Sequence, residues 1–219
     1  LEAARAQVSL LAPIEKRALL WLAHRMPAAV NSDHLTLLGL VSLLGAGFCY
    51  WYSRYEPLAL VAVIFLLITN WFGDSLDGTL ARVRNRQRPR YGFYVDHVVD
   101  MFGTFFLIGG LGLSGYMSPG IAVGAILAYF MLSIEVYLAT YTIGTFHLSF
   151  WKFSPTELRV LLMIGNLVLL GGVTHGQIGG ARYLLFDIGG VVGIAGMAVM
   201  LVVAVVKHTA YLYRDERLS

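Results

Sequence analysis

The sequence predicts an all-α integral membrane protein: six transmembrane helices preceded by an amphipathic surface helix, with N- and C-termini cytoplasmic. Three observations lead there. Of its 219 residues, 58% are hydrophobic and only 13% charged, with mean hydropathy +0.70, whereas soluble domains carry about 25% charged residues. Apolar runs of about 20 residues, each long enough to cross a bilayer as a helix, recur along the chain. Threading those runs back and forth gathers 14 of the 16 Lys and Arg residues on one side. That is a strong positive-inside bias, and it requires an even number of spans.

Residues 1–30 are expected to form an amphipathic juxtamembrane helix. Leu10, Leu11, Ile14, Ala18, Trp21, Leu22 and Met26 follow helical spacing, with Lys16, Arg17, His24 and Arg25 between them. This is the pattern of a helix lying on a membrane surface; packing against another subunit is the alternative. Its mixed charges do not read as a signal-peptide core. Residues 31–219 are expected to form a six-helix transmembrane domain, with spans near 34–54, 58–81, 92–114, 119–144, 156–174 and 182–207. With the N-terminus inside, only Arg54 and Arg182 face outward. Tyr50, Trp51, Tyr52 and Tyr55 then mark the outer interface, and Trp151, Tyr211 and Tyr213 the inner one. Cys49 is the single cysteine, so no internal disulfide can form, and its apolar surroundings make it a packing residue.

Against this background four aspartates stand out: Asp74, Asp77, Asp96 and Asp100. A charge exposed at the bilayer centre costs about 2.5 kcal/mol or more unless something compensates it. Asp74 and Asp77 are three apart, and Asp96 and Asp100 four apart, so each pair shares one helix face. Two such faces brought together make an all-oxygen cage suited to Mg2+, Mn2+ or Ca2+ rather than zinc. In the threaded chain Asp74 lies roughly 24 Å into the second span, and Asp96 and Asp100 roughly 6 and 12 Å into the third. All four converge toward the cytoplasmic end of the bilayer, a position that favours interfacial chemistry over a permeation path.

Asp74-xx-Asp77-Gly78-xx-Ala81-Arg82, followed by Gly92-xxx-Asp96-xxx-Asp100, resembles the signature of the CDP-alcohol phosphotransferase (CDP-alcohol phosphatidyltransferase) family. These are integral membrane enzymes that build phospholipids by displacing CMP from a CDP-linked alcohol. Nine residues separate Arg82 from Gly92, one more than that pattern expects, and the extra residue falls in an Arg- and Pro-containing turn. The resemblance implies two divalent cations, Mg2+ or Mn2+, held by Asp74, Asp77, Asp96 and Asp100, with Asp100 also the base that takes the acceptor's proton. It implies that Gly78 and Ala81 admit the cytidine, that Arg82 meets phosphate or braces the site, and that Gly92 lines the CDP side. A homodimer in a bacterial or archaeal inner membrane, with the site facing the cytoplasm, fits the same family. The expected partners are a CDP-linked lipid or alcohol, an acceptor alcohol and membrane lipids, with no nucleic acid.

The physical logic agrees. A pyrophosphate under in-line attack needs charge neutralisation and positioning more than covalent help, and four carboxylates balance two divalent ions. Structural readings stand beside these. The aspartates can pair with the arginines at 82–90, Gly78 and Ala81 can serve close helix packing, and Arg84, Arg86, Arg88 and Arg90 can anchor a loop to anionic lipid or funnel the CDP moiety inward.

Asp33 and Thr36, in Ser32-Asp33-His34-Leu35-Thr36, match a segment that often precedes the first span in the family, with Asp33 replacing an Asn. They join the CDP-binding set, or else act as a helix N-cap. Asn70 lies one turn before Asp74 and is expected to line the cleft. Lys152, Arg159, Glu135 and His97 form a possible acceptor site; interfacial anchoring is the alternative for Lys152 and Arg159, and helix pairing for Glu135. Gly189-xxx-Gly193 permits close helix contact. The expected donor is CDP-diacylglycerol and the acceptor a small polar alcohol. The alternatives are a choline/ethanolamine-type enzyme, which the Asp96-His97 pair resembles, a divalent-metal transporter, and an inactive scaffold.

Overall fold

The computed structural model describes residues 12–144 and 155–216. Seven helices follow in order: α1 (Ala12–Arg25), α2 (Ser32–Tyr52), α3 (Ala59–Val83), α4 (Pro89–Leu113), α5 (Pro119–Ile143), α6 (Pro155–Leu170) and α7 (Leu185–Asp215). A hairpin of β1 (His175–Ile178) and β2 (Ala181–Leu184) joins the last two. Helices α2, α3, α4, α5 and α7 are long and apolar enough to cross a membrane, and the chain is an integral membrane protein. Leu10 and Leu11 of the predicted surface helix fall outside the described residues.

Local chemistry sets the helix ends. Asn31 opens α2 with a reciprocal cap, its side chain accepting from the His34 N–H at 3.1 Å while its own N–H donates to His34 Nδ1 at 3.3 Å. The cap is therefore Asn31 and not Asp33, for which capping was the alternative reading. Pro89 and Pro119 each sit in the first turn of their helix, where the missing N–H costs nothing.

The greatest departure from expectation lies at 171–184. The predicted span at 156–174 ends at Leu170, so α6 has 16 residues, or about 24 Å of helix. Gly171 and Gly172 terminate it, Gly172 with φ +87°. Gly179 and Gly180, both at positive φ, then form a two-residue hairpin loop between Ile178 and Ala181. The apolar run near 182 begins as strand, and α7 starts only at Leu185 but continues through Lys207 to Asp215.

Helix α2 is the spine, with α3 and α4 packed on its two sides at backbone distance. A Cβ on Gly73 would lie 2.5 Å from the Leu35 carbonyl oxygen, and one on Gly110 2.0 Å from that of Gly47. Only glycine permits either crossing. Asn70, buried at 2% exposure, donates to the Gly39 carbonyl at 3.0 Å, so it ties α3 to α2 rather than lining the cleft. Leu43, Tyr50, Leu67, Leu107 and Leu162 join the main core.

Helix α1 is docked on protein as well as amphipathic. Leu19 and Ala23 are buried against Leu35, Leu76 and Leu80, with Leu22 and Met26 alongside. Trp21 is 55% exposed and carries the Arg25 guanidinium 3.9 Å above its ring. At the far end of the chain, α7 leans on α5. Asp187 accepts from the Ser118 N–H at 2.6 Å and from its hydroxyl at 2.5 Å, and Glu135 Oε1 lies 2.5 Å from His208 Nδ1. Within the chain, Gly189 and Gly193 have no described atom within reach of an added Cβ, so the close contact expected of them is not made here.

Candidate active site

Because α2 clamps α3 and α4 together, the acidic faces of the last two meet at one end of the bundle. Asp74 from α3, and Asp96 and Asp100 from α4, offer carboxylate oxygens within 4.8 Å of one another, all three partly buried. Opposite oxygens around Mg2+ stand about 4.2 Å apart, so a small side-chain rotation would bring this set onto a hard cation. Three anionic oxygen donors and no sulfur or nitrogen among them fit Mg2+, Mn2+ or Ca2+.

Asp77 stands apart from that trio. It is buried, its Oδ2 accepting from the Thr36 hydroxyl at 2.6 Å and its Oδ1 from the Gly78 N–H. The Ser32 hydroxyl reaches the Asp77 carbonyl at 3.0 Å. Sequence spacing alone grouped all four acids, but α2 presents two hydroxyls to the Asp77 side of α3 and draws that carboxylate toward itself.

A cavity of about 300 Å³ opens beside these residues. Every residue expected on the CDP side lines it: Asp33, Thr36, Gly78, Ala81, Arg82 and Gly92, together with Asp77, Asp96 and His97. An added Cβ at Gly92 would meet nothing within 4 Å, so the space there is open. At Gly78 it would sit 3.4 Å from Arg82 Nη1, which shows that Arg82 folds back over this glycine. Arg82 also donates to the Thr79 hydroxyl at 3.0 Å. Arg86 and Gln87, in the turn between α3 and α4, and Tyr91, in the first turn of α4, also line the cavity.

The expected acceptor set is dispersed. Arg159 is buried at 9% exposure, and its Nη2 is 2.5 Å from Asp74 Oδ2. It therefore reaches the acid trio from α6 and does not anchor the interface. His97 donates through Nδ1 to the Phe93 carbonyl at 2.6 Å and packs its ring 4.1 Å from Phe93 and 5.0 Å from Tyr137. Glu135 pairs with His208 in the α5–α7 seam, and Lys152 lies outside the described residues. Two arginines read as lipid anchors have protein partners instead. Arg84 donates to the carbonyls of Met26, Pro27 and Val30, closing the C-terminal end of α1, and Arg88 pairs with Asp33.

Sequence reasoning missed Glu15. Its Oε1 accepts from Trp71 Nε1 at 2.8 Å, from Thr156 Oγ1 at 3.1 Å and, more weakly, from Ser75 Oγ at 3.4 Å. The available signal was its place one turn before Leu19 and two before Leu22, on the stripe that faces α3.

Two likenesses to known proteins bear on this arrangement. The pattern defining the CDP-alcohol phosphatidyltransferases matches residues 30–208. A protein of Aquifex aeolicus described as uncharacterized is 30% identical over 146 residues, covering 64% of this chain and 69% of the relative.

Proposed function

The chain belongs to the CDP-alcohol phosphatidyltransferase family, a family of transferases that act on CDP-linked alcohols, and on that premise we propose the finer assignment. Its donor is CDP-diacylglycerol, its acceptor a small polar alcohol, and its chemistry depends on two divalent cations. The observation that carries this reading is the meeting of Asp74, Asp96 and Asp100 from two helices, with Asp96 also lining a cavity alongside Asp77 and Arg82.

Divalent cations bound by the four aspartates would neutralise the pyrophosphate oxygens and make the acceptor hydroxyl more acidic. Asp100 takes the hydroxyl proton. The acceptor oxygen then forms a bond to the phosphorus bearing the lipid, the bridging P–O bond breaks, and CMP departs with the electron pair. Gly78, Ala81 and Gly92 leave room for the nucleotide, and Arg82, over Gly78, offers a fixed positive charge to its phosphates. Thr36 holds Asp77 at the cavity wall, and Arg159 steadies Asp74. Burial of Arg159 beside the acids also makes it the one described member of the predicted acceptor set able to meet an anionic acceptor group there.

His97 and the Tyr91 and Phe93 rings also line the cavity. They favour a choline/ethanolamine-type donor as the second reading, since aromatic faces attract ammonium groups. Six spans, both termini on the cytoplasmic side and a homodimer complete the proposal. The test is CMP release by the purified protein, reconstituted in lipid, with CDP-diacylglycerol or CDP-amino alcohols, a panel of acceptors, and EDTA as control. Metal-dependent CMP release from one donor is expected. Vesicle uptake of metal without CMP would overturn the assignment in favour of a transporter.

A further inference from the structure

We infer that Glu15 is a positioning residue for the metal-binding aspartates, fixing the spacing of α3 against α6. The inference rests on the metal reading above. One carboxylate oxygen of α1 is the common acceptor for Trp71 and Ser75 of α3 and for Thr156 of α6. Asp74 lies between the two α3 donors in sequence, and Thr156 is three residues before Arg159, on an adjoining part of the same helix face. Glu15 therefore spans the same two helices that the Asp74–Arg159 pair spans at 2.5 Å. It is a second tie between those helices, made from outside the acid cluster.

The tie is rigid because α1 cannot slide. Leu19 and Ala23 are packed against α2 and α3 residues along its length, and Arg84 grips three carbonyls just beyond its end. Loss of Glu15 leaves the Trp71 N–H and the Thr156 hydroxyl without that acceptor. The apolar packing of α6 on α3, with Leu162 and Leu67 in one core, remains, but the Asp74–Arg159 contact loses the polar tie beside it, and the trio is less well disposed to close on a cation. Partners beyond the direct ligands commonly set metal affinity in this way.

The experiment is Mn2+ binding, followed by the electron paramagnetic resonance of free Mn2+, on the full chain in lipid nanodiscs without substrate. Wild type and Asp74→Asn are compared first. Failure of wild type to bind Mn2+ better than Asp74→Asn would bring down the metal reading, and this inference with it. With that difference established, Glu15→Ala should weaken Mn2+ affinity about tenfold. Glu15→Gln keeps a carbonyl acceptor for the same donors and should restore affinity to within about threefold of wild type. Trp71→Phe, which keeps a ring but removes the N–H, should weaken binding in the same direction and decides the matter should Glu15→Ala not fold. Unchanged Mn2+ affinity in Glu15→Ala and Trp71→Phe overturns the inference. So does equal weakening in Glu15→Ala and Glu15→Gln, which would show that the charge acts and the hydrogen bonds do not.

Discussion

The α2–α3–α4 trio and the more apolar α5–α7 pair are held in different ways. In the trio, backbones touch: Gly73 admits the Leu35 carbonyl, Gly110 that of Gly47, and Gly47 that of Phe106. In the pair, α7 is largely exposed along its length, and its ties to α5 include two side-chain contacts, Ser118–Asp187 and Glu135–His208. Lipid competes for the apolar faces of both regions, so association has to come from close packing or from polar pairing. Where carboxylates must meet to within a few ångströms, the molecule uses close packing. Where a helix has only to stay alongside, polar ties join side-chain packing, such as Ile121 of α5 against Gly190 of α7.

The largest expected effect is chemical and confined to the trio. Asp100→Asn should lower CMP release by about 10³-fold while leaving the thermal unfolding midpoint near that of wild type; a loss below tenfold would remove the base assignment. Next comes the packing itself. Gly110→Ala forces a Cβ to within 2.0 Å of the Gly47 carbonyl oxygen and should destabilise by about 1–3 kcal/mol. By contrast Gly193→Ala, with open space around it, should lose nothing, since alanine is the better helix former by about 0.5–1 kcal/mol. Equal melting shifts for these two variants would erase the distinction between the regions.

Smaller and of a different kind is the effect of His208→Ala. It leaves the buried Glu135 without its partner and should lower stability by about 1–3 kcal/mol. CMP release from the folded fraction should nevertheless stay within about threefold of wild type. The smallest effect is expected for Arg88→Ala, which removes the exposed pair with Asp33; water and salt already screen that pair, so the unfolding midpoint should not move.

The acid-bearing helix faces were legible because carboxylates three and four apart in an apolar run are too costly in a bilayer to be incidental. Gly78, Ala81 and Gly92 came to notice through the family resemblance, and all three line the cavity. Asn70 and Asp77 were harder. Each shares the acidic helix with Asp74, and what distinguishes them is which part of α2 they meet, Gly39 for one and Thr36 for the other. No periodicity in α3 contains that. Arg159 was undervalued for the same reason: its partner lies 85 residues away in sequence. The hairpin at 175–184 could have been found. Gly179-Gly180 between short extended segments is a two-residue turn signal, obscured by the apolar residues on either side.

Ser118–Asp187 and Glu135–His208 have a consequence for how α7 sits in its surroundings. They join Ser118, at the cap of α5, and Glu135, 17 residues further on, to residues 21 apart on α7. A vernier with two marks reads one setting only. Sliding α7 by a single residue along α5 would unseat both polar contacts at once and strand a carboxylate in hydrocarbon, so this lipid-bathed helix is indexed along its partner even though little of it is enclosed.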